Sequence, residues 1–263
     1  MRINNNITAI NSHRNYNINN GSIGKNVEKL SSGFRVNRAA DDAAGLAISE
    51  KMRTQIRGLN MASKNSQDGI SLVQTAEGAM QTAHGIMQRM RELAVQSANG
   101  TNTTLDRNAL SLEYAQLDKE LGQIESTVKF NSLSIFDETF TLQSGANAGD
   151  ITTFYVGSLN TVGQKTIETM ATATLAITDL DTAINSLSKV RAALGAIQNR
   201  LEFKIQNLDN SAENLQAAES RIRDVDMAKM MTEFTKNSIL FQASTSMLAQ
   251  ANALPQNVLQ LLG

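Results

Sequence analysis

Residues 237–263 read NSILFQASTSMLAQANALPQNVLQLLG and hold no Asp, Glu, Lys or Arg; Lys236 is the last charged residue of the chain. Leu240, Ala243, Met247, Ala251, Leu254, Val258 and Leu261 step by 3 or 4, which aligns them on one helix face. Most of the remaining positions are Asn, Gln, Ser, Thr or Ala. A solvated helix face ordinarily carries Lys and Glu, whereas an amide or hydroxyl costs far less to bury than an ion once it is hydrogen-bonded. The stretch is therefore expected to be a helix enclosed by other protein. A membrane is a poor enclosure for it. A spanning helix needs about 20 mainly apolar residues. This run is interrupted by Asn237, Ser238, Gln242, Ser244, Thr245, Gln250, Asn252 and Gln256, and the mean hydropathy is -0.25.

Upstream, the same rhythm continues. Leu180, Ile184, Leu187, Val190, Leu194, Ile197, Leu201, Ile205, Leu208, Ala212, Leu215, Ala218, Ile222 and Val225 step by 3 or 4 without a gap. Lys189, Arg191, Glu202, Lys204, Glu213 and Arg221 flank the stripe. The N-terminal end mirrors the C-terminal one: residues 3–12 are uncharged, and Ile3, Ile7 and Ile10 follow the 4,3 step. Asn20, Gly21 and Ser22 mark a possible break there. Both ends thus read as helical and nearly uncharged at their extremities, and the simplest arrangement sets them side by side.

Between the ends, Asp41 and Asp42 precede an apolar-periodic run, which is a helix-start signal through capping and the helix dipole. The helix that follows is expected over residues 43–98, on the order of 80 Å at 1.5 Å per residue. Its stripe is Ile70, Val73, Ala76, Met80, Ala83, Met87, Met90 and Ala94, a coiled-coil-like spacing. Gly45, Gly58, Gly69, Gly78 and Gly85 interrupt it, each costing about 1 kcal/mol against Ala; close approach of a neighbouring helix is the expected use. Residues 99–104 (NGTNTT) form a turn, and a helix over 105–128 folds back antiparallel. The turn contains two N-glycosylation patterns, which its turn chemistry already explains. Residues 139–143 and 151–155 read as a β-hairpin with a loop punctuated by Gly145 and Gly149. Four of the eight Phe residues (Phe130, Phe136, Phe140, Phe154) gather around it and are expected to cover the helices.

Composition narrows function. One proline, Pro255, stands where average usage would give about 13. A net charge of -1 offers no basic stripe for nucleic acid. No Cys is present, which excludes disulfides and thiolate metal sites. His13 and His84 sit in no metal-binding pattern, and no phosphate loop or G-x-S-x-G occurs, so neither catalytic residues, cofactor nor metal is expected. No basic segment followed by an apolar core opens the chain, so no cleaved secretory signal is expected. The fold class is mainly α, with long antiparallel coiled-coil-like helices from both chain ends and a small β-hairpin region.

Five strings resemble bacterial flagellin: KLSSGFRVNRAADDAAGLAISEKMR at 29–53, NMASKNSQDGISLVQTAEG at 60–78, QRMRELAVQ at 88–96, AAESRIRDVDMA at 217–228 and AQANALPQNVLQLL at 249–262. The departures are Asn5, where His is common in the family, and Gly263, where Arg is frequent. The resemblance implies a structural subunit that is exported through a type III-like apparatus without a cleaved signal. It implies self-assembly into the extracellular flagellar filament used for swimming. It further implies an inner core made from residues 1–40 and 227–263, around a rod of residues 41–226 whose hairpin lies near 139–156. Only residues 158–173 separate the hairpin from the last long helix, so the chain resembles a minimal form without variable outer domains. The polymerisation core would be Ile3, Ile7, Ile10, Leu240, Met247, Leu254, Val258 and Leu261. The implied partners are further copies of the chain, an export chaperone at the C-terminal segment, filament cap and junction proteins, and an animal flagellin-sensing Toll-like receptor. For the receptor, Arg89, Leu93 and Glu113 match the family pattern, with Met87, Gln88 and Arg91 nearby; the same residues could instead hold subunit contacts. A hook–filament junction protein shares the terminal design but diverges in the quoted strings. Alone, the terminal helices lack neighbours for their apolar faces, so they are expected to be disordered in the free chain and to fold on assembly.

Overall fold

The computed structural model describes residues 6–159 and 166–262, the stretch 255–262 by backbone alone. Five helices carry the described chain: α1 (Ile7–Ser32), α2 (Ala43–Ser97), α3 (Thr104–Thr127), α4 (Met170–Arg223) and α5 (Met227–Leu262). Four short strands lie between α3 and α4: β1 (Lys129–Phe130), β2 (Leu133–Ser134), β3 (Glu138–Gln143) and β4 (Ile151–Val156). They form two antiparallel pairs, β1 with β2 and β3 with β4. The chain divides into two compact units, Met1–Thr54 with Asn214–Gly263, and Gln55–Glu213.

The second unit has a dense core. Val73, Ala76, Met80, Ala83, Met87, Met90 and Ala94 of the α2 stripe are all fully buried. They join Ala173, Ala176, Leu180, Ala183, Leu187 and Leu194 of α4, together with Tyr114 and Leu121 of α3. Alanines alternate with larger side chains on both long helices, so their backbones approach closely while Met and Leu fill the gaps. Burying each Leu or Met stabilises by roughly 1.5–3 kcal/mol. The hairpin closes one side: Phe140 stands opposite Phe154 in the register, with ring centroids 5.8 Å apart. Phe136, Phe154 and Val156 are buried against the helices, whereas Tyr155 points outward.

Helix starts follow local chemistry. Asp42 Oδ1 accepts the Gly45 N–H at 2.8 Å and caps α2. Asp41 closes the preceding turn by accepting the N–H groups of Asn37 and Arg38. Thr103 and Asp106 form a reciprocal capping box at α3. The Thr103 hydroxyl and N–H hold the Asp106 carboxyl below the usual carboxylate range. α1 ends at Gly33, which adopts φ 74, and the Gly33 N–H donates to the Lys29 carbonyl.

Four expectations need correction. α1 runs unbroken through Asn20, Gly21 and Ser22; its contacts with α5 carry it across the weak point. The C-terminal stripe is not one helix. It breaks at residues 224–226, where Val225 N–H donates to Gly33 O at 3.0 Å and Asp226 caps α5 through the Lys229 N–H. The turn after α1 thus takes backbone bonds that a continuous helix would have made internally. The α2 glycines serve the hairpin more than a helix. A Cβ at Gly58 would meet Ala146 at 3.0 Å, one at Gly69 would meet Leu142 at 2.2 Å and Leu201 of α4 at 3.4 Å, and one at Gly45 would meet the capping Asp42, while Gly78 and Gly85 face nothing within 4 Å. The β1–β2 pair has no alternating signal to announce it; its two-residue turn, Asn131 and Ser132, has positive φ at both positions, as a type I′ turn demands.

Candidate functional site

In the first unit, α1 and α5 pack antiparallel through a narrow seam that mixes polar and apolar side chains. The Tyr16 ring lies 4.9 Å from that of Phe241. Asn19 Nδ2 donates to Ser244 Oγ at 2.9 Å, and Asn6 Nδ2 donates to the Ala251 carbonyl at 2.7 Å. Asn26, Met230 and Ala251 are buried. Ile23, Leu30, Phe234 and Leu248 are half-buried, while other large apolar side chains are left outward. Ile7, Ile10, Ile18 and Val27 on α1 and Ile239, Leu240, Met247 and Leu254 on α5 are exposed, Met247 to 62%.

That geometry adds to the reading of residues 237–263 which side of α5 meets α1. Of the stripe, Leu240, Met247 and Leu254 are exposed, whereas its member Ala251 is buried and meets α1 together with Phe241 and Ser244. Neutral polar residues line part of the internal seam, and the larger described members of the stripe are left outward. Periodicity located the stripe but not the side on which its partner would lie. Of the core positions named from sequence, Ile7, Ile10, Leu240, Met247 and Leu254 sit on these outward faces. Ile3 falls outside the described residues, and the side chains of Val258 and Leu261 lie outside them too.

A clasp joins the turn after α1 to the end of α4. Arg35 N–H donates to Arg223 O at 2.6 Å, and the Arg35 guanidinium donates to Ile222 O at 2.6 Å. The Arg223 guanidinium sits 4.7 Å over the Phe34 ring and donates to Glu50. That hydrogen bond holds the Glu50 carboxyl below its ordinary range. Sequence reasoning missed this cluster because its members are far apart in the chain.

In the second unit, α2 and α3 present a charged surface. Arg89 Nε donates to Glu113 Oε1 at 3.0 Å and Arg89 Nη1 to Glu92 Oε2 at 3.0 Å. Both carboxylates keep the guanidinium charged, Glu113 foremost. Arg91 Nε donates to Asp181 Oδ1 of α4 at 2.6 Å, and Gln88 lies 3.0 Å from His84 Nε2. Leu93 and Met87 are not part of this surface: they are 1% and 0% exposed and belong to the core beneath it. The structure therefore brings together Arg89, Glu113 and Gln88 on the outside and adds Glu92, whose i,i+3 position from Arg89 was legible in the sequence.

Among the described residues no group of three or more His, Cys, Asp or Glu is placed to hold a metal ion, and no helix is long and apolar enough to cross a membrane. Long paired helices with outward apolar side chains define the class as a mainly helical protein. The sequence pattern of the bacterial flagellin N-terminal helical region matches residues 3–141, and that of the bacterial flagellin C-terminal helical region matches residues 177–262. The chain is 56% identical to a flagellin of Halalkalibacterium halodurans and 49% identical to a flagellin of Bacillus subtilis, covering 100% of both chains in each case. It is 47% identical to the flagellar filament 33 kDa core protein of Treponema phagedenis, again with 100% of each chain covered. Among solved structures it resembles the crystal structure of Bacillus cereus flagellin, with TM-score 0.52 and 34% identity over 59% of this chain and 94% of that one. The chain belongs to the bacterial flagellin family, as a compact, minimal form. It is a structural protein, a subunit of the flagellar filament.

Proposed function

We propose that the chain polymerises through the outward faces of α1 and α5. The observation that carries this reading is the apolar surface the terminal pair leaves outward: Ile7, Ile10, Leu240, Met247 and Leu254 stay uncovered although α1 and α5 pack together. Covering such side chains stabilises by roughly 1–2 kcal/mol each. Further copies of the same two helices are the proposed cover. Contacts that repeat without closing then give an open helical filament. Residues 1–40 and 227–263 would form the inner core, and residues 41–226 the surrounding rod layer. The subunit would leave the cell by type III-like export, with a chaperone shielding the C-terminal segment on the way, and would meet cap and junction proteins in an extracellular flagellum. A place at the hook–filament junction is the alternative assembly role. Salt-induced assembly followed by negative-stain microscopy tests the main reading. Long filaments of uniform width are expected, and a persistently monomeric, fully folded protein would refute it.

A second role concerns the surface around Arg89 and Glu113. Its half-exposed guanidinium and carboxylate are available to a partner of a free subunit, and the proposed partner is the flagellin-sensing Toll-like receptor of animals. The same patch would be covered by neighbouring subunits in the filament, so that the receptor meets only monomers. Arg89→Ala should weaken receptor activation by monomers; undiminished signalling would count against this role.

A further inference from the structure

We propose that Asn99, in the turn between α2 and α3, is a self-modifying site whose side-chain amide converts spontaneously to a carboxylate. The reaction needs three things: a following residue that does not shield its own nitrogen, a free N–H on that residue, and a side-chain carbonyl turned toward it. Gly100 supplies the first, since nothing lies within 4 Å of where its Cβ would be. Its N–H donates to no hydrogen bond among the described residues, although the neighbouring turn N–H groups of Asn99 and Asn102 are both engaged. Asn99 Oδ1 accepts the Thr101 N–H at 3.3 Å, which curls the side chain over the Gly100 peptide and polarises its carbonyl. Asn99 and Gly100 are both exposed, so water reaches the site.

The turn also favours the attacking species. Loss of the Gly100 N–H proton places negative charge on the Asn99 main-chain oxygen. That oxygen accepts from Arg107 Nη2 at 3.1 Å and from Asn102 N–H at 3.3 Å. A cationic donor and a second N–H aimed at a developing oxyanion lower the cost of forming it. The Gly100 nitrogen then attacks Asn99 Cγ, a C–N bond forms, and ammonia leaves with a proton from solvent. One water opens the resulting cyclic imide at either carbonyl, giving aspartate or isoaspartate. The balance is amide plus water to carboxylate plus ammonium, with no oxidant or reductant.

The chain carries an internal control. Asn20 and Gly21 repeat the same dipeptide inside α1. There the Gly21 N–H is committed to the i→i−4 ladder, and helical geometry turns the side chain away from it. The structure thus separates two identical dipeptides into a reactive and a protected one. At Asn99 the product is an anion just past the C-terminus of α2, where the helix dipole disfavours negative charge, and the isoaspartate form lengthens the turn backbone. Such a mark accumulates with the age of a subunit.

The test incubates the purified full-length chain, folded and in urea, at mildly alkaline pH. Isoelectric focusing, peptide mass mapping and an isoaspartate methylation assay read the result. In the folded chain Asn99 is expected to convert, and in assembled filaments, where α1 is formed, Asn20 stays an amide; in urea both convert. Gly100→Ala, which the open surroundings accommodate, should slow conversion at Asn99 several-fold. The proposal is overturned if folded Asn99 keeps its amide over the time in which the urea sample converts. It is equally overturned if Asn20 in assembled filaments keeps pace with Asn99 of the free chain, or if the Gly100→Ala chain converts as fast as the parent.

Discussion

Tyr114 shows how one buried group carries a measurable consequence. It is 1% exposed on α3, and its hydroxyl finds no partner among the described residues. Burial, and then the charge of Asp118, push its pKa up to about 12 from the model-compound value of 10.0. The folded value lies above the unfolded one, so the ionisation of Tyr114 costs no stability below pH 10 and costs progressively more as pH rises toward 12. Unfolding midpoints measured across that window should fall for the parent chain. Tyr114→Phe removes an unsatisfied hydroxyl and should raise stability by about 1 kcal/mol while flattening the alkaline loss. An unchanged alkaline slope in that variant would mean that another group titrates. The Arg89 pair is a different case at the same scale. Its charges are about half exposed, and exposed pairs contribute about 0–1 kcal/mol. Its value therefore lies in what it presents to a partner, and it adds little to holding α2 on α3.

At the level of elements, α5 is the most informative. Its packed side, Phe241, Ser244 and Ala251, differs from its apolar side, Leu240, Met247 and Leu254, so the two can be altered separately. Leu240→Gln with Met247→Gln changes only outward positions. Purified monomers should keep their far-ultraviolet helical signal, yet seeded filament growth should stop. Growth at the parental rate would show that this face is not covered in the filament. The break between α4 and α5 makes a related point. Ile222 and Val225 keep the helical rhythm, but the Gly33 carbonyl and the Arg35 N–H take the backbone groups of residues 223–225 into a bridge with the turn after α1. A periodic apolar pattern records which side is buried and is silent about a competing backbone partner far away in sequence.

For the whole molecule, the prediction concerns the free chain. The terminal pair has a thin internal seam and uncovered apolar faces, so its helices gain most of their support only on assembly. The far-ultraviolet helical signal should rise as monomers enter filaments, and a chain lacking residues 237–263 should neither grow on seeds nor show that rise. Constant helicity through assembly would mean that the pair is already folded in the monomer. The sequence by itself determined the helical class, the long α2 stripe, the β3–β4 hairpin, the helix-start role of Asp42, and the uncharged character of both ends. All of these are local or periodic features, encoded within a few turns of chain. Only the tertiary structure decided which side of α5 meets α1, where α4 stops, that Leu93 and Met87 are core rather than surface, and that two identical Asn-Gly dipeptides sit in different chemistry. Each of those depends on atoms brought together from distant residues, and the side on which a helix finds its partner is fixed by that partner's shape rather than by the helix's own period.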